Sequence, residues 1–137
     1  MSNAPRPSRV AHAGITVSSE ERATELFGGL FGLAVVKTFD VRLELTRALF
    51  DMDAEARAVV YAGGEGAELE VFVCPERVAR RETYDHLCVA VADRERLLGR
   101  AESLGMEVRR FRKGDKEVVF LRDLDGNLYE IKSTEPE

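Results

Sequence analysis

Tryptophan is absent from this chain of 137 residues, and cysteine and histidine each occur only twice. Two cysteines cannot build the dense disulfide framework of a small secreted domain. Cys74 and Cys88 fall within or at the end of apolar strands and read as buried thiols. No apolar run reaches the ~18 residues that span a bilayer. The polar start, Met1 to Arg9, lacks the apolar core of a signal peptide. A cytoplasmic location without a membrane partner is therefore expected. Basic charge is not in excess either. The formal net charge is −5, with both signs interleaved, which argues against nucleic acid as the main partner. One local basic cluster, Arg109, Arg110, Arg112 and Lys113, reads as a solvated strand edge, with an anionic small molecule as the alternative reading. Proline occurs only at Pro5, Pro7, Pro75 and Pro136, so none interrupts a proposed core element.

What remains, 45% hydrophobic and 33% charged residues, suits one compact globular domain. Residues 10–17 read as a strand. Ser18 or Ser19 then offers an N-cap, and Ser18 with Glu21 has capping-box spacing. Ala23, Leu26, Phe27 and Leu30 share one helical face, and Gly32 suits the position after the helix. Strands follow at Ala34 to Val41, Ala56 to Ala62 and Ala67 to Cys74, with a hairpin turn at Gly63-Gly64-Glu65-Gly66. The second half repeats the plan. Tyr84 to Val91 is a strand, Asp93 an N-cap, and Leu97, Leu98, Ala101 and Leu104 an apolar helix face ended by Gly105. Strands then run from Met106 to Arg112, Glu117 to Arg122 and Asn127 to Lys132, with turns at Lys113-Gly114-Asp115 and Asp123-Leu124-Asp125-Gly126.

Both halves read strand, helix, then three strands. The expected fold class is α+β, with two tandem βαβββ modules at 10–74 and 84–132, a linker at 75–83, and tails at 1–9 and 133–137. The first half is longer, and segment 42–53 is its insertion. There Leu45, Leu49 and Met52 line one face of a short helix that either covers a substrate or packs on the sheet.

His12 and His86 occupy matching places in the repeat, and each half closes on a strand with a glutamate, Glu70 and Glu130. Strand alternation puts His12, Gly14 and Thr16 on one face, and likewise His86, Cys88 and Ala90, and Glu68, Glu70 and Phe72. Those faces should line a concave surface. Two imidazoles and two carboxylates suit a divalent cation; the plainer reading makes them exposed sheet residues.

Three segments carry a family resemblance. Leu26-Phe27 with Leu30-Phe31-Gly32-Leu33 looks like a first-helix ending, and Tyr84-Asp85-His86-Leu87 like a second-module opening. Arg122-Asp123-Leu124-Asp125-Gly126-Asn127-Leu128-Tyr129-Glu130 is similar to a signature motif, with Leu124 replacing a frequent proline. Together they resemble the vicinal oxygen chelate superfamily, which includes glyoxalase I, methylmalonyl-CoA epimerase, extradiol dioxygenases and bleomycin-resistance proteins. The resemblance covers nearly all of residues 10–132. It implies a curved, mostly antiparallel sheet around a central cavity, a small-molecule substrate and, commonly, a homodimer. It also implies one divalent metal ion (nickel, cobalt, zinc, manganese or iron) on His12, Glu70, His86 and Glu130, a set like that of bacterial glyoxalase I. Glu130 is then the first-choice base and Glu70 the second. Thr16, Phe72, Cys88 and Arg122 are candidates for substrate contact, although Cys88 also suits a small buried role and Arg122 a surface charge. The activity implied is a metal-dependent lyase or isomerase that removes a proton next to a carbonyl. An epimerase of acyl thioesters and a non-catalytic binding or antibiotic-resistance protein are the alternatives.

Overall fold

The computed structural model describes residues 6–76 and 83–134. The first module contains β1 (His12–Val17), α1 (Glu20–Ala23, continuing at wider pitch over Thr24–Leu30), β2 (Ala34–Val41), α2 (Leu43–Leu45, continuing over Thr46–Phe50), β3 (Ala56–Ala62) and β4 (Glu68–Val73). The second contains β5 (Leu87–Val91), α3 (Arg94–Ser103), β6 (Glu107–Lys113), β7 (Lys116–Arg122) and β8 (Leu128–Ser133). Each module forms its own four-stranded sheet, in the orders β1-β4-β3-β2 and β5-β8-β7-β6. β1 runs parallel to β4, and β5 to β8; the other pairings are antiparallel. The α+β class and the βαβββ repeat are thus observed, as two mixed sheets of identical strand order. Most of the expected linker lies outside the described residues. Among the described residues no helix is long and apolar enough to cross a membrane.

Local chemistry explains the element ends. Ser19 caps α1, its hydroxyl accepting from the Arg22 backbone N–H. The capping box expected at Ser18 and Glu21 does not form, because Ser18 is engaged elsewhere. Its backbone N–H donates to Asp125 at 3.1 Å, and its hydroxyl accepts from the Arg22 guanidinium. Gly28 and Gly29 lie in the widened part of α1, where the Phe31 N–H reaches back to the Leu26 carbonyl. Gly32 then turns the chain at φ +68°, as expected of a residue just beyond a helix end. Asp93 caps α3 through the Arg96 N–H. The β5 strand begins at Leu87, not at Tyr84, whose side chain is almost fully exposed. Leu104 follows the end of α3 and is exposed, so it adds little to the apolar face of Leu97, Leu98 and Ala101.

One core joins the modules. Phe27 on α1 is fully buried and packs its ring against Phe31, Tyr61 of β3 and Tyr129 of β8. Phe31 also meets Tyr129, with ring centroids 5.5 Å apart. Leu98, Val119, Leu121 and Ile131 join the same cluster. Burying each such side chain stabilises the fold by about 1.5–3 kcal/mol. Packing one face of each sheet on this core leaves the opposite face, which carries the histidines and glutamates, turned away from it.

Candidate functional site

His12 opens β1 and Glu70 lies on the neighbouring β4. The parallel register pairs Gly14 with Glu70, so His12 stands two residues before the partner of its glutamate. His12 Nε2 lies 3.2 Å from Glu70 Oε2. The second module repeats the arrangement. Cys88 pairs with Glu130, His86 again stands two residues before that partner, and His86 Nε2 lies 3.9 Å from Glu130 Oε1. His86 precedes β5 and is held by its ring. Nδ1 is 2.8 Å from the Tyr84 carbonyl, which can only accept, so Nδ1 carries the proton and Nε2 is left as a donor atom for a cation. Phe120 of β7, the partner of Glu130, stacks edge-on against the imidazole at 5.1 Å. The two pairs remain separate in one chain. Among the described residues no group of three or more His, Cys, Asp or Glu side chains is close enough to hold a metal ion.

The positions flanking these pairs differ between modules. On the first, Phe72 lies over Gly14. A Cβ built on Gly14 would come within 3.2 Å of the Phe72 ring. Phe50, from the segment read as a lid, packs edge-on against Phe72 with centroids 5.7 Å apart. The insertion therefore folds as α2, whose last residue, Phe50, lies on the face that carries Glu70. Leu45, Leu49 and Met52, the expected apolar face, remain exposed. Thr16 shares this face, and its carbonyl accepts from the Asn127 side chain of the other module.

On the second module, Cys88 occupies the place of Gly14 and Lys132 the place of Phe72. Cys88 is exposed, which corrects the expectation of a buried thiol; Cys74 is buried, and both are free. The reason is positional. Cys88 sits on the sheet face that no helix covers among the described residues. Partial burial first and the Glu130 charge second push its pKa up, and Lys132 opposes them. The pairing of Cys88 with Glu130, and the two-residue step from Glu130 to Lys132, put the three on one face.

The second sheet also opens where the first stays closed. β3 and β4 pair from Arg57 with Val73 to Tyr61 with Leu69. β7 and β8 pair only from Phe120 with Glu130 to Arg122 with Leu128. Beyond Glu130 the strands part around a groove of about 790 Å³ lined by Lys116, Val118, Glu130, Ile131, Lys132 and Ser133 among others.

The turn between β7 and β8 is a clasp that sequence reasoning treated only as a motif. Asp123, Asp125 and Asn127 are all buried. Asp123 accepts from the N–H groups of Asp125 and Asn127, the Asn127 amide and the Tyr129 hydroxyl, the last at 2.8 Å. Asp125 pairs with Arg22 of α1 at 2.9 Å and accepts from the Ser18 N–H, tying this turn to the first module. Arg122 donates to the Gly126 carbonyl at 2.9 Å, so its guanidinium braces the turn. The basic cluster also divides. Arg110 bonds Glu95 and Glu117, which hold its pKa above the usual guanidinium value, and its hydrogen bond in turn lowers the pKa of Glu95. Arg109 pairs with Glu107, and Lys113 lines the groove.

A family model for the glyoxalase/bleomycin resistance protein/dioxygenase superfamily matches residues 9–131. No curated protein sequence matches the chain. Among solved structures, a glyoxalase family protein from Bacillus cereus superposes with a TM-score of 0.71 at 17% identity, covering 97% of this chain and 98% of its own. The trypanothione-dependent glyoxalase I of Leishmania major gives a TM-score of 0.67 at 18% identity, covering 93% and 87%. The fosfomycin resistance protein FosX of Mesorhizobium loti gives 0.65 at 16%, covering 93% and 92%. At these identities the likeness shows the fold alone.

Proposed function

The chain belongs to the glyoxalase/bleomycin resistance protein/dioxygenase superfamily, and on that premise we propose that it is a metal-dependent lyase or isomerase resembling glyoxalase I. The observation that carries this reading is the repeated register, with His12–Glu70 and His86–Glu130 each forming one imidazole–carboxylate pair at equivalent places. Imidazole nitrogens and carboxylate oxygens, two of each, are a donor set that fits a divalent ion. Because each module holds only one pair, His12 and Glu70 would be completed by His86 and Glu130 of a second copy, in a homodimer. A divalent ion held there supplies Lewis-acid stabilisation of the charge that develops on a carbonyl oxygen. The residues do the rest. Glu130 removes the proton from the carbon beside the carbonyl, and Glu70 is the second candidate for that step. Tyr84 and Phe120 hold His86 in one orientation. Cys88, with its raised pKa, lines the face as a neutral thiol, beside Thr16 and Phe72 on the facing half. Arg122 acts on the substrate only if it leaves the Gly126 carbonyl.

Metal stoichiometry by elemental analysis, with turnover of methylglyoxal plus glutathione and α-proton exchange of acyl-CoA thioesters, tests the reading. Exchange without lyase turnover would select the epimerase alternative. Glu130→Gln should lower turnover by about 10²–10⁴-fold, more than Glu70→Gln does. Mixing His12→Ala with His86→Ala chains should restore one competent site per mixed dimer, where each variant alone has none. A wild-type chain that binds no divalent metal, or a mixture without recovery, would overturn the proposal.

A further inference from the structure

The fork between β7 and β8 has no counterpart in the first module, and its lining is chemically distinct. Arg94, Lys113, Lys116 and Lys132 line it together with Asp115, Glu117 and Glu130. Glu117 is already paired with Arg110 at 2.8 Å. Arg94 is likewise paired, with Glu95 at 3.8 Å. Lys113, Lys116 and Lys132 then outnumber Asp115 and Glu130, in a chain whose formal net charge is −5. Strand alternation puts Lys116, Val118 and Phe120 on one face of β7, and the stacking of Phe120 on His86 identifies it as the face of the histidine pair. Lys113 is the register partner of Lys116 and shares that face. Lys132 lies two residues beyond Glu130 on the same side of β8, about 7 Å along the strand. Glu130 thus lies where the fork closes, with Lys132, Lys116 and Lys113 on the histidine face of its open arm and Arg94, Glu117, Ile131 and Ser133 on the side of α3.

We propose that this groove receives an anionic oxygen group of the substrate, a carboxylate or a phosphate, held by Lys132 and Lys116 while the reacting carbon lies at Glu130. The inference rests on the reading of Glu130 as the base, and it narrows the substrate class to small carbonyl compounds carrying a negative charge about one strand repeat from the reacting carbon. The first module places the aromatic Phe72 at the position of Lys132, so this cationic position belongs to the second module.

The test is titration of the full chain with inorganic phosphate, and separately with acetate, in the presence of EDTA, followed by amide NMR. Saturable shifts are expected at Lys116, Val118, Ile131, Lys132 and Ser133, with the tighter-binding probe identifying the group as phosphate or carboxylate. Lys132→Gln and Lys116→Gln should each weaken binding about threefold to fivefold, the scale of one exposed charge pair, and added salt should weaken it further. Arg96→Gln, on α3 outside the groove, should leave it unchanged. Shifts absent from the fork, or unchanged affinity in Lys132→Gln, would overturn the inference. With metal excluded, the two readings fail separately. Metal binding without phosphate or acetate shifts at the fork ends this inference alone. Phosphate binding in a chain that takes up no metal leaves the anion site standing and ends the enzymatic reading.

Discussion

The two modules share strand order, register and the imidazole–carboxylate pair, yet the surfaces around those pairs have diverged. In the first, Phe72 covers Gly14 and Phe50 of the insertion packs on Phe72. In the second, Cys88 and Lys132 hold the equivalent places and the strands part into a basic groove. The turns differ in the opposite sense. The β3–β4 hairpin, Gly63 to Gly66, is mostly exposed, whereas the β7–β8 turn is buried and bonded to both modules. The difference shows where each constraint acts. The core face must alternate apolar residues to bury them, so both modules keep that pattern. The opposite face touches solvent or ligand, so it is free to become aromatic on one side and cationic on the other.

The largest expected contrast lies between the turns. Asp123→Ala would strand several buried donors, among them the Tyr129 hydroxyl, and should cost roughly 3 kcal/mol. Glu65→Ala in the exposed hairpin should stay within about 0.5 kcal/mol. Urea denaturation of the two variants measures the difference, and equal losses would remove the distinction between clasp and plain hairpin. A smaller effect sharpens the contrast between the faces. Gly14→Ala forces the Phe72 ring aside and should destabilise by about 1 kcal/mol, while Cys88→Ala stays within about 0.5 kcal/mol. Phe50→Ala should relieve most of the Gly14→Ala penalty, because Phe50 is what pins Phe72. A double-mutant cycle with no coupling would show that α2 does not set this wall.

The smallest effect concerns Cys88 itself. A raised thiol pKa leaves less thiolate at a given pH, so alkylation by iodoacetamide should reach half-maximal rate above the ordinary cysteine value. Removing the negative charge in Glu130→Gln should lower that midpoint. Removing the positive charge in Lys132→Gln should raise it. Mass spectrometry separates Cys88 from the buried Cys74, and no movement in either variant would contradict the shared face.

Much of this molecule was legible before folding was considered. The strands at Ala34–Val41 and Ala56–Ala62, the caps at Ser19 and Asp93, and the turns at Gly32 and Gly105 depend on side chains within a few residues of each other. The candidate donors were legible for the same reason, since a duplicated pattern is visible along the chain. Three features were not. Ser18 does not form a capping box because Asp125, far away in sequence, takes its N–H. Cys88 is exposed because no helix among the described residues crosses its face, which alternation alone does not reveal. Phe50 and Phe120 join the site through contacts that no spacing rule encodes.

The order of elements and the repeat were therefore set by local propensity and hydrophobic period. Those signals are short-range, and each segment expresses them by itself. Tertiary structure alone decided that each histidine meets the glutamate of its own module, that the two pairs stay apart within one chain, and that one sheet forks while its twin stays closed. Such outcomes depend on register and packing between residues distant along the chain, where small differences in the burial of neighbouring side chains choose among arrangements that the local pattern permits equally.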